Sequence, residues 1–158
     1  MFKKIISIIL VILWMSLIFS LSSLNGTESN KKSVGGIKNT IKTVVNTTNK
    51  VGITKKSKKQ EKEINKISKA LNFPVRKCMH FTEYLILTCL LYNMFYTFGL
   101  RNKKLFILSM LLCMLYASSD EFHQSFTGRT SHISDVLIDS SGGLTFLLIK
   151  YLRNRTKK

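Results

Sequence analysis

Apolar positions along this chain fall into four blocks, at about residues 5–21, 81–98, 105–117 and 133–152, separated by polar and basic stretches. A helix needs about 20 residues to cross about 30 Å of hydrocarbon. The third block is too short for that unless its helix continues through Ser118-Ser119-Asp120-Glu121-Phe122-His123. The fourth reaches full length only with Asp135 and Asp139 inside it. The pattern predicts an all-α membrane protein, one domain over residues 1–158, with four transmembrane helices at about 5–22, 81–98, 105–123 and 133–152. The first block also has features of a secretory signal, with Ser20-Leu21-Ser22 as a poor cleavage site. Its long apolar run, and the three blocks that follow, favour an uncleaved anchor.

Residues 25–79 differ in character. They carry 14 Lys and Arg against Glu28, Glu61 and Glu63, and they hold the only proline, Pro74. The expectation is a long basic extracytoplasmic loop between helices 1 and 2. Ile37, Ile41, Val44 and Val45, and later Ile64, Ile67 and Leu71, still repeat at helical spacing. Cationic helices with one thin apolar face lie in the headgroup plane, which makes membrane lipids the expected partner. Lys55 to Lys62 reads as a solvated linker.

Composition adds a net charge of +17 beside an apolar share of 45%. So basic a chain suggests nucleic acid first. The charges flank apolar blocks, however, and no helix-turn-helix, zinc-finger or RNA-binding signature is present, so no nucleic-acid partner is expected. Lys3, Lys4, the turn Arg101-Asn102-Lys103-Lys104, and Lys150, Arg153, Arg155, Lys157 and Lys158 all fall on one side of a four-span topology. The positive-inside rule makes that side cytoplasmic, with both termini on it, in a multi-pass protein of the cell membrane. The basic loop then lies outside, where the rule weakens for loops near 60 residues. Cys78, Cys89 and Cys113 are odd in number and scattered, without disulfide or metal spacing.

The same topology brings the acidic and imidazole residues of the C-terminal half to the outer face. These are His80 and Glu83, then Asp120, Glu121, His123 and Gln124, then His132, Asp135 and Asp139. Ionisable groups at membrane depth are costly unless they face one another, water or a ligand, so they read as a polar site. Arg129, beside Gly128, is the basic residue between the last two blocks, a counter-ion for Asp135 or Asp139 or a fork for an anionic ligand. Three readings stay open. One is a satisfied polar network that locks the bundle. A second is a metal site fed by acid and histidine pairs on adjacent helices, although no familiar zinc motif is present and no residue is assigned to a metal. The third is recognition of, or acid–base work on, an anionic envelope molecule, with Asp120 and His123 as candidate catalytic residues. No Ser or Cys stands in a nucleophile motif.

Several of these residues also form motifs. Arg76-Lys77-Cys78-Met79-His80-Phe81-Thr82-Glu83-Tyr84 resembles the R-K-x-x-H-F-x-E-Y element of the VanZ-like membrane proteins. Asp120-Glu121-Phe122-His123-Gln124-Ser125-Phe126 is similar to their D-E-x-H-Q-x-F element, and Asp135-Val136-Leu137-Ile138-Asp139 with Gly142 to D-V-x-x-D-x-x-G. Trp14, Phe19-Ser20-Leu21-Ser22-Ser23, Gly26 and Ser29 resemble the family's opening. Where the family has Pro-Gly-Arg, this chain has Thr127-Gly128-Arg129, shorter and without proline. The resemblance implies reduced susceptibility to teicoplanin-type glycopeptides, through contact with the antibiotic or with a lipid-linked cell-wall precursor. The alternative is a membrane-embedded hydrolase or transferase, metal-dependent or metal-free, acting on a lipid-linked envelope substrate. The cofactor is left open.

Overall fold

The computed structural model describes residues 1–23, 26–49, 58–126 and 132–156. They form five helices, with no strand among the described residues: α1 (Phe2–Ser22), α2 (Gly26–Asn49), α3 (Lys58–Thr97), α4 (Asn102–Phe126) and α5 (Ile133–Arg155). The chain divides into two compact units, one of residues 1–24 with 78–158 and the other of residues 25–77. α3 contributes to both.

The smaller unit is more helical than the two short stretches expected within the basic loop. Most of residues 25–79 are helical, and α3 already begins inside the stretch read as a linker. Lys, Glu, Gln and Ala are good helix formers, so the polar, Lys-rich first half of α3 folds into helix without a broad apolar face. Lys38 and Lys42 of α2 both reach Glu61 of α3 at 3.8 Å. Such exposed pairs add little stability each. Pro74 lies inside α3, where it has no N–H for the carbonyl one turn back.

In the larger unit, α4 packs along α5 and touches α1. The C-terminal part of α3 enters the same core through Tyr84, Leu87, Leu91 and Tyr92. The buried positions of α4 repeat every three or four residues, from Leu105, Ser109, Cys113 and Ala117 to Asp120, Glu121 and Gln124. This is one helical face, apolar but for Ser109 as far as Ala117 and carboxylate-bearing at its end. α5 answers with Asp139, Ser140, Gly142, Gly143 and Leu147. A Cβ on Gly142 would fall on the carbonyl of Phe81, and one on Gly143 would meet Thr88 Oγ1 at 2.5 Å and Cys113 Sγ at 2.8 Å. Glycine here lets α5 lie directly against α3 and α4.

The two ends of this unit differ. At one, Lys4 lies over the Phe98 ring at 5.1 Å, Arg101 over Tyr96 at 3.8 Å and Lys150 over Tyr92 at 5.5 Å. The turn from α3 to α4 lies there, with Gly99 (φ 98°) and Asn102 (φ 56°) both left-handed. Leu100 N–H donates back to Phe95 O at 3.1 Å, the closing bond of a helix end with glycine at its left-handed position. The opposite end holds the carboxylates and histidines. Among the described residues two helices, α1 and α4, are long and apolar enough to cross a membrane. α5 carries Asp135, Asp139, Lys150, Arg153 and Arg155, and α3 mixes its basic first half with its apolar second.

Candidate functional site

Three helices of the larger unit deliver polar residues at the end of their packing stripes. On α3, His80 lies one turn before Tyr84 and two before Thr88. On α4, Asp120 continues the row set by Cys113 and Ala117. On α5, Asp139 lies one turn before Gly143, so the glycine contact that draws α5 inward also carries this carboxylate inward.

The result is a buried convergence. Asp120 is 3% exposed and Asp139 1% exposed. His80 Nδ1 stands 3.8 Å from Asp139 Oδ1 and 3.7 Å from Glu83 Oε2. Gln124 Nε2 donates to Asp120 Oδ2 at 2.8 Å, an i,i+4 contact that holds the carboxylate against its own helix. Glu121 Oε2 accepts from the backbone N–H of His132 at 3.3 Å and so ties the end of α4 to the start of α5. Asp135 lies half-buried one turn before Asp139, and its carboxylate accepts from Ser134 at 3.4 Å.

Of the residues singled out from the sequence, His80, Glu83, Asp120, Gln124 and Asp139 come together, with Glu121 and Asp135 at the edge. His123 does not join them. Its ring lies 4.3 Å from that of Phe19 on α1, and among the described residues it makes no hydrogen bond or ion pair with Asp120. The imidazole that approaches the carboxylates is His80. Arg129 lies outside the described residues.

Sequence reasoning left out three contributors. Tyr84 is wholly buried, its ring centroid 6.2 Å from that of Tyr116, within electrostatic reach of Asp120 and Asp139. Its position one turn after His80 was the available signal. Trp14 Nε1 donates to the backbone carbonyl of Glu83 at 3.0 Å, and Tyr116 Oη donates to Met15 O at 2.6 Å. These two bonds pin α1 to α3 and α4 beside the site, and only the packed structure reveals them. Ser140, next to Asp139, is also buried.

Chemically, the site offers an imidazole and several carboxylates converging from three helices. That set suits cation binding, proton transfer, or anchoring a polar group brought into an apolar interior. The sequence model of the VanZ/LLP1 family matches residues 7–154, nearly the whole chain, in agreement with the motif resemblance. No curated protein and no solved structure matches the chain.

Proposed function

The chain belongs to the VanZ/LLP1 family, and on that premise we propose that it is a four-span integral membrane protein of the cell envelope that lowers susceptibility to teicoplanin-type glycopeptides. The spans are α1, the part of α3 over about residues 81–98, α4 and α5. The observation that carries the membrane reading is the inverted polarity of the larger unit. Leu13, Ile107, Leu115, Leu137 and Leu148 face outward, while Asp120, Glu121, Gln124, Asp139 and Ser140 lie inside. Large apolar groups spread over the outside of a small bundle are stable against lipid, and carboxylates then belong in its interior. α1, at 21 residues, is about 31 Å long, enough for the hydrocarbon layer.

The basic, aromatic end is the cytoplasmic interface in this reading, which puts both termini inside and the carboxylate end toward the outer leaflet. There the polar cluster is in reach of the membrane-anchored form of the antibiotic and of lipid-linked cell-wall precursor. The basic helices of residues 25–77 then face anionic headgroups, at about 1 kcal/mol per cation near a charged surface. A sensitive Gram-positive host expressing the chain is expected to become less susceptible to teicoplanin while its response to vancomycin stays the same. Unchanged teicoplanin susceptibility at good membrane expression removes the resistance reading. Topology is tested separately, with single cysteines placed at His132 and Lys103 in a chain lacking its own. An impermeant maleimide added to intact cells is expected to label position 132 and spare 103, and the reverse pattern overturns the orientation.

The convergence of His80 with Asp139 favours a second reading, a hydrolase or transferase working on a lipid-linked substrate within the membrane. It predicts that purified protein changes the mass of a lipid-linked precursor during incubation, and an unaltered precursor rules it out.

A further inference from the structure

The buried end of the bundle contains groups whose needs the other described residues leave unmet. One donor atom each from His80, Asp120 and Asp139 lies within 4.8 Å of the other two. They come from α3, α4 and α5, so three separate packing stripes meet at one point. Asp120 Oδ1 and Asp139 Oδ2 are both buried and have no hydrogen-bond partner among the described residues. The hydroxyl of Tyr84, on a side chain 0% exposed, also lacks one, and it lies within electrostatic reach of both Asp120 and Asp139. Buried polar atoms are nearly always paired, and ionised carboxylates cost several kcal/mol each to bury alone. Two buried carboxylate oxygens and a nearby hydroxyl without partners among the described residues call for a positive partner.

We propose that His80, Asp120 and Asp139 form a binding site for a divalent transition-metal ion inside the helix bundle, with the Tyr84 hydroxyl beside the coordination position that the protein leaves open. The donor set argues for this class of ion. Calcium and magnesium take oxygen ligands, calcium six to eight of them, whereas imidazole suits zinc and its neighbours. Three protein ligands and an open fourth position are the usual zinc arrangement where the ion meets a second molecule. Metal–ligand bonds of about 2.0–2.2 Å hold donor atoms about 3–3.5 Å apart. The present spread closes to that by side-chain rotation of about an ångström. Glu83 Oε2, 3.7 Å from the same His80 Nδ1 that faces Asp139, is a further carboxylate beside the site. The inference stands on this geometry and does not depend on the resistance reading.

The test uses the full chain purified in detergent, stripped with EDTA, exposed to Zn²⁺ or Mn²⁺ and desalted. Elemental analysis is expected to find about one ion of at least one of the two metals per chain, together with a higher thermal midpoint in its presence. Asp139→Asn and His80→Gln, nearly equal in shape to the parents, are expected to weaken binding at least about tenfold, since even supporting residues of metal sites contribute that much. Glu121→Gln removes a buried acid outside the set of three and is expected to retain the ion. A parent chain that takes up neither metal and shows no thermal shift overturns the site. So does equal uptake by folded Asp139→Asn and His80→Gln, or loss of the ion in Glu121→Gln alone. If Asp139→Asn does not fold, the parent's stoichiometry and thermal shift, with His80→Gln, decide the matter. Metal content is read independently of drug susceptibility, so one proposal can fail without the other.

Discussion

Gly142→Ala tests how α5 carries Asp139 to the site. The added methyl would fall on the Phe81 carbonyl, with the Leu85 amide nitrogen 3.2 Å away. Both neighbours are backbone, so neither can rotate aside and the two helices must part. A separation of about 1 Å forfeits a quarter to a half of each dispersion contact along the seam. Overpacking of this kind costs about 1–3 kcal/mol, which lowers the folded-to-unfolded ratio roughly 5- to 150-fold. Gly143→Ala provides the comparison. Its methyl meets the side-chain ends of Thr88 and Cys113, which can move, although Thr88 would give up its 2.9 Å bond to Tyr84 O. Reversible unfolding of the purified chain in mixed detergent micelles is the assay. Gly142→Ala is expected to shift the midpoint further than Gly143→Ala, and Cys113→Ala is expected to rescue part of the second shift and none of the first. A Gly142→Ala chain as stable as its parent would refute the close approach of α5 and α3, and with it the positioning of Asp139.

Trp14→Phe and Tyr116→Phe each remove one donor from α1's attachment, to Glu83 O and Met15 O. Each is expected to cost about 0.5–1.5 kcal/mol in the same unfolding assay, and two neutral substitutions would mean α1 is not held there. Cys78 is exposed and Cys113 buried. Maleimide is therefore expected to modify Cys78 in the folded chain and Cys113 only after denaturation; equal rates at the two thiols would contradict the packing of α4.

Much of the site could be read from residue types alone. The shortfall of apolar residues after Ala117 implied a helix continuing past Asp120, and α4 does run to Phe126. Carboxylates beside apolar blocks pointed to a shared polar end, and Asp120 and Asp139 do meet in the interior. The choice between His80 and His123 was not legible. Each lies three residues from an acid on its own helix, and only the rotation of the packed helices decides which imidazole turns inward. Tyr84 was hidden for a similar reason, since a tyrosine in an apolar block reads as core until its hydroxyl is located. In residues 25–79 the thin apolar spacing showed two short helical pieces. The extension into the first half of α3 rests on the helix propensity of its Lys, Glu, Gln and Ala residues, which leaves no periodic mark.

The most direct test of the buried cluster's role is teicoplanin susceptibility in a sensitive Gram-positive host. Parent, Asp120→Asn, His80→Gln and His123→Ala chains are compared at matched membrane levels, with vancomycin as the control drug. Protection against teicoplanin that is lost in Asp120→Asn and His80→Gln, and largely kept in His123→Ala, is the expected result, because His80 faces the carboxylates and His123 packs on Phe19. Full protection from Asp120→Asn and His80→Gln would contradict a functional role and leave the cluster as internal scaffolding.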